Sequence, residues 1–282
     1  MRRLNLPRQL LSQIALALAS LFVLLPIWGM LRLAFDAALK GAPVTFRAWP
    51  ELFSLEAFRQ VWHSPAQSLS FLGLLRNSLL VSGGAALISV FLGASMAYAF
   101  ARFRFPGRRS GLFALLLGTL LPPVALMTPL YILLTILGIR ASLLGLMVVY
   151  TAFAMPFCVW NMRAAFQAVP RELEESAFLE GATPWIAFRR ITLPLALPSI
   201  AVAGLMAFLV GYTEFAIGWL FVERGENVTL AMAVSGMLGN SVPWSHVSAL
   251  AVLMSLPVIL AFLLLQRYLM RGLLLGQVAG DE

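Results

Sequence analysis

The sequence has 282 residues, of which 61% are hydrophobic and 11% charged, against roughly 45–50% and about 25% in ordinary soluble domains. With a mean hydropathy of +0.89, this composition excludes a soluble globular protein and indicates an integral membrane protein. One cysteine and two histidines exclude a disulfide framework and a Cys/His metal site, and the net charge of +8 suits the loops of a membrane protein better than a nucleic-acid-binding surface.

Six apolar stretches are each long enough to cross a hydrocarbon core of about 30 Å. They cover residues 10–33, 74–101, 111–137, 143–162, 195–221 and 247–268. None has the alternating pattern of a barrel strand, so the sequence predicts an all-α integral membrane protein with six transmembrane helices in one domain, residues 1–282. The first stretch also resembles a signal peptide cleaved after Ala19, but it runs past that site to a spanning length, which favours a retained helix.

The basic residues are unequally divided between the two sides of the membrane. Six spans place both termini on one side, and 13 of the 20 basic residues lie there. They are Arg2, Arg3, Arg8, Arg102, Arg104, Arg108, Arg109, Arg163, Arg171, Arg189, Arg190, Arg267 and Arg271. The other side has seven: Arg32, Lys40, Arg47, Arg59, Arg76, Arg140 and Arg224. This bias predicts that both termini are cytoplasmic, because cytoplasmic loops carry the excess of basic residues.

The second span carries small residues at every fourth position. They are Ala85, Ser89, Gly93, Ala97 and Ala101. Such a stripe lets two helix backbones approach closely. It indicates either packing within this chain, the alternative we favour, or a contact with a partner subunit.

The segment 169–194, between spans four and five, predicts two short helices joined by a turn. Pro170 suits a first helical position, and Gly181 suits the left-handed conformation that ends a helix. Thr183 and Pro184 are typical of an N-cap followed by the first helical residue.

This segment also carries apolar residues at helical spacing. Leu173 and Ala177 are four positions apart, and Trp185 and Phe188 are three apart. Because the segment lies outside the membrane, we expect its apolar face to meet a partner protein.

The same segment contains a spaced motif. It consists of Glu175, Ser176, Ala177, Gly181, Ile191, Thr192, Leu193 and Pro194. This motif resembles the EAA loop of the permease subunits of binding-protein-dependent ABC importers, with Ser176 where the family has its middle alanine. Residues 77–78, 97–102, 105–108 and 156–157 are similar to the carbohydrate branch of that family, and residues 265–280 are similar to the C-terminus of the second permease of maltose-type importers.

The resemblance implies a type I ABC importer permease fold and a multi-subunit transporter. The expected partners are a sister permease, two cytoplasmic ATPase subunits and an extracytoplasmic sugar-binding protein. In the EAA loop, Glu175 would be the charged contact with the ATPase subunit, Ala177 the closely packed position and Gly181 the turn, with Ser176, Ile191, Leu193 and Pro194 completing the coupling surface.

No cofactor or catalytic residue is expected in this chain. A phosphate-binding loop requires Gly-Lys-Ser/Thr, whereas the one lysine, Lys40, precedes a glycine. ATP and Mg²⁺ would therefore be bound by the partner subunits, and the chain itself would not be an enzyme.

Glu214 is the one acidic residue inside a predicted span. An acid in a membrane is a candidate functional residue. It could line a sugar pathway together with Tyr212 and Trp219, or it could hold two helices together through hydrogen bonds, and we favour the second alternative.

Residues 223–246 are predicted to form an outer loop with a mildly apolar segment at 229–237. By resemblance, this segment would contact the binding protein. The alternative is a re-entrant or interfacial helix without a partner. Residues 66–70 and the loop 36–73 are further candidates for that contact.

The predicted function is therefore that of a permease subunit of a carbohydrate importer in the bacterial cytoplasmic membrane, for maltose, maltodextrin or trehalose-like α-glucosides. Another sugar or a polyol is the alternative cargo. An ion-coupled carrier is disfavoured because it usually needs several intramembrane ionisable groups, and a membrane enzyme because no catalytic set occurs.

Overall fold

The computed structural model describes residues 6–39, 41–43, 45, 47–65, 69–222, 225–238 and 242–278. Four members of the charge count, Arg2, Arg3, Lys40 and Arg224, lie outside these residues, as do 66–68, 223 and 279–282. The described part of the chain is helical, apart from loops and one isolated bridge between Asp36 and Phe53.

The helices are numbered in chain order. They are α1 (Leu6–Ala34), α2 (Glu56–His63), α3 (Phe71–Arg102), α4 (Arg108–Leu120), α5 (Pro123–Ile136), α6 (Leu143–Ala168), α7 (Arg171–Leu179), α8 (Pro184–Ala187), α9 (Leu193–Leu195), α10 (Leu197–Thr213), α11 (Ala216–Phe221), α12 (Leu230–Leu238) and α13 (Trp244–Val278). A π-helical turn, Phe188–Thr192, joins α8 to α9, and a 3-10 turn covers Gly225–Asn227.

Four of the predicted spans are single helices in the structure. Among the described residues, α1, α3, α6 and α13 are each long and apolar enough to cross a membrane. All four extend beyond the predicted bounds at one end or both, and α6 runs to Ala168 where the prediction ended at 162. Hydropathy locates the apolar centre of a helix, whereas its ends depend on caps and tertiary contacts.

The other two predicted spans are broken. Helices α4 and α5 are bent by 104°, and the segment Pro184–Leu195 meets α10 at 77°. The first break falls at Leu121 and Pro122, where the ring of Pro123 keeps the preceding residue extended. The predicted span 195–221 is divided in the structure, because α10 begins at Leu197 and ends at Thr213, and α11 begins at Ala216.

The described residues fall into two compact units, those within 6–71 with 234–255 and those within 72–233 with 256–278. In the second unit, α3, α6 and α10 share a core that includes Ala97, Cys158 and Ala203. All five residues of the small-residue stripe are buried. A Cβ added at Gly93 would lie 3.1 Å from Cys158 Cβ, so the stripe packs against α6 within this chain, which confirms the favoured alternative.

In the first unit, a buried ion pair fixes the loop that follows α1. Arg32 Nη2 lies 2.9 Å from Asp36 Oδ2, and the two side chains are 7% and 2% exposed. The Asp36 carboxylate also accepts hydrogen bonds from the amides of Ala38, Glu51 and Leu52. The carboxylate therefore holds residues 51–52 beside the end of α1, so the loop that follows α1 has an ordered start.

Candidate functional site

The first half of the EAA loop is helix α7 and the turn that ends it. Gly181 has φ +89°, the left-handed conformation predicted for it. The amide of Gly181 donates to Phe178 O at 3.0 Å and that of Ala182 to Ala177 O at 2.9 Å. These bonds form a Schellman motif, which satisfies the last carbonyls of α7 and reverses the chain. Pro170 precedes the helix by one residue, and α7 begins at Arg171.

The second half of the loop begins with the predicted cap. Thr183 Oγ1 accepts a hydrogen bond from the amide of Ile186 at 3.4 Å, and Pro184 is the first helical residue. After one α-helical turn, Phe188–Thr192 widens into a π-helical turn. Such turns are frequent at functional sites because the inserted residue redirects the neighbouring side chains.

The tip of the EAA loop exposes large apolar side chains. The exposed fractions are 45% for Leu173, 41% for Phe178, 91% for Leu179, 63% for Trp185 and 38% for Ile186. These five residues are hereafter the apolar tip. A group of this kind outside the apolar spans indicates a surface that binds another protein.

The motif residues lie on and around this tip. Glu175, Ser176 and Pro194 are exposed, whereas Ala177, Ile191 and Leu193 are half-buried. Gly181 is exposed and lies at the turn between the two helices. The structure therefore brings the predicted coupling residues into one loop, and their contact with an ATPase subunit stays a prediction.

A buried polar network attaches this loop to α3, and no sequence pattern predicted it. Arg102 Nε lies 3.0 Å from Glu174 Oε2, with both side chains less than 8% exposed, and Arg102 Nη2 donates to Val169 O at 2.9 Å. Glu174 also accepts a hydrogen bond from Thr192 Oγ1 in the π-helical turn. The carboxylate therefore joins both halves of the loop to α3.

An aromatic cluster forms a second attachment. Tyr98 of α3, Phe166 of α6 and Phe188 of the π-helical turn pack with ring centroids 4.6–6.0 Å apart. Placing Phe188 on the exposed face with Trp185 was therefore wrong, because it is 8% exposed and lies in the core. The π-helical turn directs this side chain inward, where it packs against residues of α3 and α6.

Glu214 lies at the break between α10 and α11, with extended backbone. Its Oε2 accepts a hydrogen bond from the Tyr150 hydroxyl of α6 at 2.9 Å. The amides of Ile217 and Gly218 donate to its two oxygens at 3.0 and 3.3 Å. The carboxylate thus satisfies the first amides of α11 and joins that helix to α6, as a structural role requires.

The two aromatic residues proposed to accompany Glu214 lie in different environments. Tyr212 is 1% exposed and stacks on Phe208 with ring centroids 5.2 Å apart. Trp219 is 40% exposed, on α11. Of the three predicted pathway residues, only Trp219 presents an open surface, and Glu214 is half-buried between the break and Tyr150.

The segment 229–237, predicted to contact the binding protein, packs against other parts of the chain over its first residues. Asn77 Nδ2 donates to Glu226 O and Val228 O at 2.8 and 3.0 Å. The amide of Leu230 donates to Ser78 Oγ at 2.8 Å. Residues 229–233 are buried, so little of this part of the segment is available to a partner. The sequence pair 77–78 matched the carbohydrate branch, but its partner lay about 150 residues away and could not be identified.

Comparison with known proteins identifies relatives of this chain. Residues 89–274 match the family described as binding-protein-dependent transport system inner membrane component. The chain is 33% identical over 213 residues to the trehalose transport system permease protein SugB of Mycobacterium tuberculosis, covering 74% of this chain and 78% of that one. It is 36% identical over 212 residues to the maltose/maltodextrin transport system permease protein MalG of Escherichia coli, covering 73% and 72%.

Solved structures agree on the fold. A chain of a bacterial ABC transporter involved in the import of the acidic polysaccharide alginate has a TM-score of 0.74 at 19% identity, covering 95% of this chain and 100% of that one. A chain of the MetNI methionine ABC transporter has a TM-score of 0.56 at 20% identity, covering 70% and 91%. The predicted all-α membrane architecture with a type I ABC importer permease fold is confirmed.

Proposed function

The chain belongs to the family of binding-protein-dependent transport system inner membrane components, and on that premise we propose that it carries an α-glucoside of the maltose or trehalose type across the membrane. As a member of this family it is a transmembrane transport subunit and not an enzyme. The cargo rests on two relatives whose names specify trehalose and maltose or maltodextrin. Another sugar or a polyol is the alternative.

The proposed energy source is ATP hydrolysis by two separate cytoplasmic ATPase subunits, which would bind ATP and Mg²⁺. The observation that supports this coupling is the apolar tip, exposed on a loop that is rigidly attached at its base. Glu175 would supply the charged contact, and Gly181 the turn that presents it. Closure of the ATPase subunits would push on the tip, and the Glu174 network would carry the movement into α3.

The transport pathway would form between this chain and a sister permease. Helix breaks within membrane spans commonly lie beside substrate sites, because an unwound segment exposes backbone groups. The break at Glu214 is the candidate position in this chain. We assign Glu214 and Tyr212 to holding the break in place and Trp219 to the pathway wall, where an aromatic ring can stack on a sugar.

The proposed orientation has both termini and the EAA loop in the cytoplasm, with an external sugar-binding protein on the opposite side. The native Cys158 is buried, so a cysteine introduced at the fully exposed Leu179 would be the reactive one. Labelling of Leu179→Cys by a membrane-impermeant maleimide only in inverted vesicles supports this orientation. Labelling in right-side-out vesicles would reverse it.

The experiment that tests the function is the ATPase activity of the assembled transporter. The chain is co-purified with its ATPase subunit and sister permease, and activity is measured with the binding protein and a panel of sugars. Stimulation by maltose, maltodextrin or trehalose supports the proposed cargo. Stimulation by an unrelated sugar alone assigns the alternative, and ATP-independent uptake driven by an ion gradient would refute the proposal.

A further inference from the structure

A cavity of about 540 Å³ lies between the end of α3 and the start of α4, with one wall formed by α6. Four of its lining residues are arginines, and none is acidic. They are Arg104, Arg108, Arg109 and Arg163. We call this feature the arginine cavity.

Among the residues that the structure describes, these arginines have no carboxylate partner. Within the described residues, the ion pairs join Arg32 to Asp36, Arg47 to Glu51 and Arg102 to Glu174. The cavity therefore concentrates four positive charges without a counter-ion from this part of the protein. Like charges held together repel one another, and an anion between them would relieve that repulsion.

Two of the arginines, Arg108 and Arg163, are half-buried, and one of them has an unsatisfied hydrogen-bond donor. Arg108 Nε donates to Phe100 O at 2.9 Å, which orients its guanidinium. Arg163 Nε is buried and has no acceptor among the described residues, although its guanidinium lies 5.4 Å from the Trp160 ring centroid. A buried charged donor without an acceptor is unfavourable, and a bound oxyanion would supply the acceptor.

The backbone adds to this preference for an anion. Helix α4 has 13 residues, and its N-cap, Gly107, has no side chain to accept hydrogen bonds from the first amides. The positive end of α4 therefore points toward the arginines, and such helix ends bind phosphate groups. Guanidinium groups also favour phosphate, because their paired N–H donors match the spacing of its oxygens.

The surroundings favour a phosphate that is attached to a lipid. Phe113, Leu116 and Leu117 of α4 are exposed, and α4 is part of a membrane-spanning pair of helices. Acyl chains could lie along these side chains while the headgroup enters the cavity. Basic pockets at the cytoplasmic ends of membrane helices bind anionic headgroups in this manner. We propose that the arginine cavity binds the phosphate of an anionic phospholipid headgroup.

This inference rests on the proposed orientation, which places the cavity at the cytoplasmic leaflet, but it does not depend on the cargo. The test is native mass spectrometry of the full chain released from detergent micelles. The probes are phosphatidylglycerol, neutral phosphatidylcholine and inorganic phosphate. We expect a retained phosphatidylglycerol molecule, no retained phosphatidylcholine and weak binding of inorganic phosphate.

The matched variants carry the same loss of charge on the same side of the membrane. Arg108→Gln with Arg163→Gln should weaken phosphatidylglycerol binding about thirtyfold, because each arginine lost reduces the affinity about fivefold. Arg189→Gln with Arg190→Gln removes two exposed arginines of the EAA loop and should leave that binding within about twofold, since neither lines the cavity.

A second pair keeps the test decisive if the half-buried variant does not fold. Arg104 and Arg109 are exposed, so Arg104→Gln with Arg109→Gln should fold and still weaken phosphatidylglycerol binding. Equal loss in the cavity and EAA-loop variants would overturn the site, because surface charge alone would then explain the binding.

Two further results would overturn the lipid assignment. Inorganic phosphate that binds as tightly as phosphatidylglycerol would identify a soluble anion as the ligand. If the cavity variants bind phosphatidylglycerol as the native chain does but co-purify with less ATPase subunit, the cavity is a protein contact. Neither result bears on the sugar-stimulated ATPase activity of the native transporter. Failure of this inference is therefore distinct from failure of the proposed function.

Discussion

Replacing Glu174 by glutamine tests whether the buried network attaches the EAA loop to α3. The side chains of Arg102 and Glu174 are 7% and 6% exposed, so the variant leaves a buried guanidinium without its counter-charge, although Val169 O still accepts from it. Removing one partner of a buried ion pair commonly destabilises by about 3–5 kcal/mol. The glutamine also has to share its single oxygen between Arg102 and Thr192, which weakens both bonds.

The loss should be local to the loop, because α7 otherwise packs mainly against α8 and the π-helical turn of the same loop. At about 1.4 kcal/mol per factor of ten, 3 kcal/mol corresponds to roughly a hundredfold larger population of the detached loop. The assay is hydrogen exchange of the amides in 171–192, measured on the full chain. We expect exchange there to accelerate about a hundredfold while the centre of α6 is unchanged.

The control is Glu172→Gln, which removes an exposed acid from the same helical turn and should change exchange little. A double-mutant cycle adds Arg102→Gln. The double variant should lose less stability than the sum of the singles, since it leaves no unpaired charge. Exchange in Glu174→Gln equal to that in the control, or strictly additive effects in the cycle, would refute this account of the attachment.

Three further substitutions test other parts of the structure. Gly181→Asp should abolish sugar-stimulated ATPase activity while the subunit still folds, since no atom lies within 4 Å of the added Cβ and the left-handed φ of +89° adds a strain of about 1–2 kcal/mol. Glu214→Gln should lower stability by roughly 1.5–3 kcal/mol by weakening its bonds to Tyr150 and α11, as measured by thermal unfolding in detergent. Gly93→Ala should destabilise by about 1–3 kcal/mol, because the new Cβ would lie 3.1 Å from Cys158 Cβ, which cannot move without the backbone of α6, and the same assay measures it.

Each of these variants has a matched control. Gly181→Ala adds the same backbone strain without charge and should retain coupling, so loss of activity in both would show that strain alone is responsible. Tyr150→Phe removes a single hydroxyl and should reproduce part of the Glu214→Gln loss. Normal assembly of Glu214→Gln with lost sugar transport would instead support the pathway role. Gly83→Ala, with no atom within 4 Å of its Cβ, should be neutral or slightly stabilising, and equal loss at both glycines would contradict the close helix contact.

Features that depend on neighbouring residues could be predicted from the sequence. Apolar stretches of about 20 residues identify membrane helices wherever they occur, because lipid requires each helix to satisfy its own backbone. The turn at Gly181 and the cap at Thr183 were predicted correctly, since both follow from the conformational preferences of single residues. Hydropathy alone could not reveal the break at Glu214, because the residues on both sides are equally apolar.

What the tertiary structure decided is which distant residues meet. Glu174 and Arg102 are 72 positions apart, and Glu214 and Tyr150 are 64 apart. From the sequence, Phe188 was predicted on an exposed face, and no partner for Glu174 could be predicted. Folding brings their partners on α3 and α6 to them. By itself, the sequence determined the spans, the turn and the motif, because these depend on local conformational preference and on transfer into lipid. The network that attaches the motif to the membrane helices depends on contacts between helices far apart in the chain, which no local pattern encodes.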